Sequence, residues 1–456
     1  MMFDCRCPHA PFSQRVFDEA EALFGRRAFL VGGLASLAGF ATFGRAGAAE
    51  SVTILRAARL FDGAAMRAPG LCVVRGDRIV SLNLGDAGSD ARTIDLGDAT
   101  LMPGLIDAHT HVSAGVVVSS YMHALESPEK PAGDSVAEAA ILSIRNAQAM
   151  LRNGFTTIRD VGGASGIDLA MRNVIARGYV AGPRMLVAGT SLSITGGHGD
   201  RNDLPADVHV DRPNGVASGP YAFREQVREH VKRHVDLIKI LSTGGVLSYG
   251  DVWNVPQMNL DEVQAVVEEA TKFGRIVSAH AHGDPGIAIA VEGGCHSIEH
   301  CTGVGAKTLQ AMVQRGTYLV PTIWALDSIL QPGNPNKIAA GSLEKAHLAA
   351  QLRDEGMRRA LASGVKLAYG TDAGVFPHKE NNKDFAPLVS LGMRPLDLLR
   401  SATSWAADLL ATSDRGRIAA GKLADIVAFR GDPSANIALL ESRPTLVMLG
   451  GKEVSV

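Results

Sequence analysis

An excess of charge of either sign is what this sequence lacks most plainly. Its 45 Lys and Arg residues stand against 47 Asp and Glu, a formal net charge of −2 over 456 residues. A nucleic-acid binder would normally carry a basic surplus, so that class of partner is excluded. Cysteine is scarce: Cys5, Cys7, Cys72, Cys295 and Cys301. The last three are too few and too far apart for a disulfide framework, and Cys5 and Cys7 lack the partners of a zinc site. Free thiols are the expectation. No apolar run is long and hydrophobic enough to span a membrane. No G-x-S-x-G elbow is present to make an acyl-enzyme, and no Gly-rich phosphate loop follows the first apolar run.

What is present starts with "GRRAFLVGGLASLAGFATFGRAGAAE", in which Arg26 and Arg27 precede an apolar Gly/Ala-rich run and a small-residue site at Ala46-Gly47-Ala48. This resembles a twin-arginine export signal over residues 1–48. The expected location is therefore periplasmic or secreted, with no stable membrane anchor once the signal is removed. That route carries folded proteins, which suits a chain that loads a cofactor before export.

Residues 49–100 and 413–456 share a texture of short β-rich pieces, such as "GLCVVRGDRIVSLN" and "PTLVMLGGKEVSV". They are expected to pair into one small β-sandwich built from both chain ends. Between them, over 101–412, apolar runs alternate with helical stretches. "NLDEVQAVVEEATKFG" is the best marked helix, with Asn259 as its cap, Glu262 three residues on and Gly274 at its end. The runs are "LMPGLIDA", "TTIRD", "RMLVAG", "DLIKIL", "RIVSA", "HSIE", "TYLVPT" and "VKLAYG". Eight strand–helix units predict the α/β class and a (β/α)8 TIM barrel.

Active sites of such barrels lie at the C-terminal ends of the strands. The first run ends in "DAHTH", placing His109 and His111 on one side of a strand, a spacing that suits one metal ion. The fourth carries Lys239, the fifth ends at His280 and His282, the sixth at His300, and "GTDAG" puts Asp372 after the eighth. Each feature alone has an ordinary reading: an unremarkable His-x-His, a helix-capping Asp, a lysine snorkelling at a rim. Their coincidence at strand ends located from apolar pattern alone is what points to a metal centre. Lys239 is the sharpest case, because an interior ammonium costs several kcal/mol unless compensated. Burial favours its neutral amine, which carbon dioxide can convert to a carbamate, an anion able to bridge two cations about 3.5–4 Å apart. His230 and His234 are spaced i,i+4 but "HVKRH" lacks the glutamate of a zinc-protease helix, so both are expected on an outer helix face.

"PGLIDAHTH", "IKI…TGG", "AHAHG", "SIEH" and "YGTDAG" together resemble the amidohydrolase superfamily, and within it the imidazolonepropionase-related group that includes bacterial Xaa-Pro dipeptidases and ochratoxin-hydrolysing amidases. The resemblance covers essentially all the chain after the leader. It implies two divalent metal ions, commonly zinc: one held by His109, His111 and Asp372, the other by His280 and His300, with carboxylated Lys239 between them. It implies hydrolysis of a C–N bond by water activated between the metals, with Asp372 moving the proton. His198 in "ITGGHGD" and His282 are implied to assist catalysis and, with Tyr249 and His378, to contact substrate. An ordinary loop residue is the alternative at each of these four. The substrate expected is a dipeptide such as Xaa-Pro or an N-acyl amino acid, including ochratoxin-like amides. Cyclic amides or lactones are the alternative, and a non-catalytic metal- or ligand-binding barrel is a different class again. The partners expected are a small-molecule substrate and further copies of the chain in a homo-oligomer.

Overall fold

In this computed structural model, the described residues are 51–86, 91–113, 135–200, 202, 215–248, 251–332, 338 and 340–454. The leader 1–48, with Cys5, Cys7, Arg26 and Arg27, lies outside them, as does Tyr249.

The runs of the central region form parallel strands that are buried along most of their length, polar residues included, as expected where both faces are covered. Strands β1 (Leu105–Thr110), β2 (Phe155–Asp160) and β3 (Arg184–Val187) make one parallel sheet in the order β3-β2-β1. Strands β4 (Leu237–Leu241), β5 (Ile276–Gly283), β6 (Ser297–Gly303) and β7 (Tyr318–Val320) make a second, in chain order. Every residue of β1, β2 and β4 is buried. Single parallel bridges at Leu192–Ile240 and Thr110–Ala373 tie neighbouring segments to these sheets.

The eighth run, "VKLAYG", does not form a ladder strand. It is extended, with one bridge at Leu319–Leu367. Its backbone bonds are divided among three segments: Ala368 N–H donates to Leu319 O, Ala108 N–H to Tyr369 O, and Tyr369 N–H to Ser401 O. With its bonds shared in this way, no run of paired residues builds up against any one neighbour, and the sheets are not joined into one continuous ladder.

Helices follow the strands on the outside. The helix marked by Asn259 spans Leu260–Lys272 and starts as expected: Asn259 N–H donates to Glu262 Oε2 at 2.8 Å. It stops before Gly274, whose φ of +65° favours glycine. The helix Pro220–Lys232 carries a correction. His230 is not on an outer face but buried, its Nε2 2.8 Å from Thr190 O and its Nδ1 2.8 Å from Gln226 O. Burial is tolerated because both ring nitrogens are used. His234 lies past the helix end and is exposed.

The two chain ends meet in two further sheets. One joins Val52–Ala57, Gly70–Arg75, Arg78–Ser81 and Arg92–Asp95. The other sets Ala99–Pro103 between Arg59–Phe61 and the C-terminal strand Ile426–Arg430, with Leu446–Leu449 beyond. Leu55, Cys72, Val74 and Ile79 of the first share a core with Leu101, Ile426, Ala428 and Met448 of the second. Cys72, Cys295 and Cys301 are buried free thiols. Among the described residues no helix is long and apolar enough to cross a membrane.

Candidate metal centre

Two groups of ligand-type side chains stand at the C-terminal ends of the parallel strands. His109, in β1, and His111, just past its end, meet Asp372: Asp372 Oδ1 is 3.3 Å from His109 Nε2 and 3.2 Å from His111 Nε2. The second group is His280 and His282 of β5 with His300 of β6, their ring nitrogens within 4.8 Å of one another. The groups adjoin, since the His109 and His300 rings are 5.0 Å apart. β5 runs on to Gly283, so His280 and His282, two residues apart, share a face. The structure thus adds His282 to the expected pair His280 and His300. The spacing argument that united His109 with His111 applies to it equally.

The outer hydrogen bonds decide which ring nitrogen faces inward. A carbonyl or carboxylate only accepts, so the nitrogen bonded to it carries the proton and the other holds a lone pair. His111 Nδ1 is 3.0 Å from Gly162 O, and His280 Nε2 is 3.1 Å from Gly244 O. His109 Nδ1 is 2.7 Å from Glu299 Oε2. His282 and His300 place Nδ1 at 2.8 and 2.7 Å from the hydroxyls of Thr302 and Thr322. His109 Nε2 is left buried with no hydrogen-bond partner, its lone pair 3.3 Å from a carboxylate oxygen. Two lone pairs facing each other in a buried site call for a cation, and the donor set fits one.

The electrostatics point the same way. Burial by itself would raise the Asp372 carboxyl and lower His111, but the carboxylate and the imidazoles stabilise each other as ion pairs, holding Asp372 well below the usual carboxylate range and raising His111. A bound cation would take the place of those ring protons. Burial pushes His280 and His300 well below the normal imidazole value and His282 down to about 3. These rings are neutral at ordinary pH, the state that binds metal. Lys239 is only 2% exposed, and burial brings it down to about 8. It stands on β4 beside β5, paired with Ser278 two residues before His280, and its charge is felt by His111 and Asp372 of one group and by His280 and His300 of the other.

Beside the second group, His198 stacks on His280 with centroids 4.5 Å apart. Gln257 Oε1 accepts its backbone N–H at 2.9 Å, and its Nδ1 is buried without a partner. Burial lowers His198 to about 4, so it too is neutral. Its ring lies directly on Gly245: a Cβ there would fall 2.0 Å from His198 Cε1. Gly245→Ala should therefore displace His198 without touching either ligand group. A misplacement near 1 Å costs about 10²-fold in rate. Steady-state kinetics at unchanged metal content would check that figure. The edge of Trp253 faces His282 at 5.7 Å. His378 is buried, its Nε2 2.9 Å from His111 O and its pKa lowered to about 4 by burial.

Several supporting residues escaped the sequence reading. Asp107 accepts from Thr371 N–H and Oγ1 and from Asn381 Nδ2, tying β1 to the segment that carries Asp372. Glu299 and Arg159 form a fully buried ion pair at 2.8 Å beneath His109. Their signal was a charged residue inside an apolar run, in "SIEH" and "TTIRD", the same signal that drew attention to Lys239. The backbone conformation could not be read. His300, Cys301, Thr322 and Asp372 all have positive φ, at 68°, 53°, 48° and 64°. Strain of this kind clusters at functional sites.

Histidines at the C-terminal ends of parallel strands, with a carboxylate on the extended segment beside them, are the arrangement of metal-dependent hydrolases built on TIM-barrel-type scaffolds. The amidohydrolase family model matches residues 100–454, and the chain belongs to that family. It is similar to the crystal structure of a Xaa-Pro dipeptidase with bound methionine in the active site, at 34% identity and a TM-score of 0.81, covering 89% of this chain and 100% of that one. It is 29% identical to the ochratoxinase of Aspergillus niger over 425 residues, 88% of this chain and 86% of that protein. The imidazolonepropionase of Deinococcus radiodurans is 26% identical over 366 residues, 75% of this chain and 81% of that protein. These relatives imply a TIM-barrel-type fold with an extra domain and support hydrolysis of a C–N bond.

Proposed function

We propose that the protein hydrolyses the amide or peptide bond of a small substrate whose amine side keeps a free carboxylate, a dipeptide such as Xaa-Pro or an N-acyl amino acid. The observation that carries this reading is the pair of adjoining ligand groups, with Lys239 buried on the strand next to the one that bears His280 and His282. The similarity to a Xaa-Pro dipeptidase and to ochratoxinase supports the choice of bond. The scaffold we read is a (β/α)8 barrel in which the extended segment 365–370 serves as eighth stave, with a small β-sandwich from both chain ends.

His109, His111 and Asp372 would hold one divalent cation, and His280 and His300 the other, with Lys239 as a carbamate between them. His282, in the same cluster, either joins that second set or meets substrate. Two such cations, zinc being the ordinary choice, would supply water whose pKa is lowered to about 7 and a Lewis acid for the carbonyl. Asp372 Oδ accepts the proton of the attacking water. The same carboxyl then gives it to the leaving nitrogen, because an amine cannot depart as an amide anion. Neutral His198 donates a ring N–H to the carbonyl oxygen as negative charge gathers there. We further propose that the leader directs export of the folded protein; N-terminal sequencing of the exported chain, starting near Ala49, would test that.

Substrate choice should come from groups beyond the ligands, with His198, His282, Tyr249 and His378 as the residues proposed. Charge-assisted hydrogen bonds to a substrate carboxylate are worth ~1.5–3 kcal/mol. A free acid should therefore exceed its carboxamide by roughly 10–150-fold in kcat/KM. Zinc-loaded protein assayed against dipeptides, N-acyl amino acids, their carboxamides and lactones provides the test. Equal rates for acid and carboxamide would reject carboxylate recognition, and turnover of lactones alone would reject the amide reading.

A further inference from the structure

Among the described residues, His109 alone of the five histidines in the two groups is backed by a carboxylate. Gly162 and Gly244 carbonyls serve His111 and His280, and threonine hydroxyls serve His282 and His300. The partner of His109 is Glu299, fully buried and itself fixed on several sides. Arg159 Nη2 donates to Glu299 Oε1 at 2.8 Å, and Ser297 Oγ donates to the same oxygen. Arg159 in turn donates through Nη1 to Ser297 Oγ at 3.1 Å and through Nε to Ala108 O, the carbonyl just before His109.

Glu299 directly precedes His300, a ligand candidate of the other group. Neighbours in a strand normally face opposite ways. Left-handed backbone at His300 and Cys301 breaks that alternation, so one short stretch of β6 backs the first group and supplies the second.

We propose that Glu299, clamped by Arg159 and Ser297, is a positioning residue that fixes the Nδ1–H tautomer of His109 and strengthens its Nε2 as a metal donor. It thereby sets the affinity of the buried His109–His111–Asp372 position. The inference rests on the metal reading proposed above. A carboxylate behind a ligand histidine fixes ring orientation and raises basicity, and losing it typically costs 10–100-fold in metal affinity.

The test compares zinc content and zinc retention against a chromogenic chelator in wild type, in Glu299→Gln, and in the double variant Arg159→Met/Glu299→Gln. Glu299→Gln should weaken one of two zinc ions by about 10–100-fold and leave the other unchanged. The double variant, which no longer strands the Arg159 charge, should regain thermal stability but not zinc affinity. Recovery of both would make the pair merely structural and overturn the proposal, as would wild-type affinity in Glu299→Gln. If neither variant folds, imidazole 15N spectra of the metal-free wild type decide: an Nδ1–H His109 supports the proposal and an Nε2–H His109 overturns it. Wild type that binds no zinc would instead overturn the metal reading itself, an outcome visible before any variant is made.

Discussion

Lys239→Ala should lose turnover by on the order of 10³-fold, about 4 kcal/mol of transition-state stabilisation. The reasoning starts from burial. An amine 2% exposed in the middle of a buried strand and brought down to about 8 holds a far larger fraction of free amine near neutral pH than an ordinary lysine, and that free amine is the form that reacts with carbon dioxide. If its carbamate links the two ligand groups, truncation removes a ligand from both at once. Metal content should drop alongside turnover. Short carboxylic acids should partly restore activity by occupying the emptied space as substitute bridges. Kinetics with and without added acetate or propionate, with metal content measured in parallel, would check this. Normal metal content and normal rate in Lys239→Ala would mean that the lysine is there for packing alone.

Asp372→Asn should cost about 10²–10⁴-fold, the usual worth of a positioned general acid–base group. Asp372 sits between two imidazoles at 3.3 and 3.2 Å, and they keep its carboxyl ionised, and so free to accept a proton, against the pull of burial. An asparagine oxygen could still approach the same histidines but could not take up a proton. The loss should therefore persist when excess zinc restores metal content. Recovery of full rate under those conditions would assign Asp372 to ligation only.

Much of the central layer was legible because its strands are buried on both faces, which leaves short runs rich in apolar and β-branched residues that stand out from the helical stretches between them. The candidate ligands were legible for the opposite reason: His109, Lys239, His280 and Asp372 are polar groups where apolar ones belong. The eighth run was harder to place. "VKLAYG" has the composition of a strand, but which neighbours take its hydrogen bonds is a tertiary matter, and here they are divided among Leu319, Ala108 and Ser401. His230 misled because an i,i+4 pair on a polar helix looks solvated, whereas the Thr190 and Gln226 carbonyls satisfy its ring in the interior. Glu299 and Arg159 were visible as charges in apolar runs but had no evident partners. Their pairing spans 140 residues, and only the fold brings them together beneath His109.

The central claim is that two adjoining ligand groups work as one two-metal hydrolytic centre, and elemental analysis of fully active purified protein tests it most directly. The account predicts close to two divalent ions per chain, lost together with amide hydrolysis in chelator and regained together when zinc is returned. One ion or none per chain in protein of full activity would contradict it.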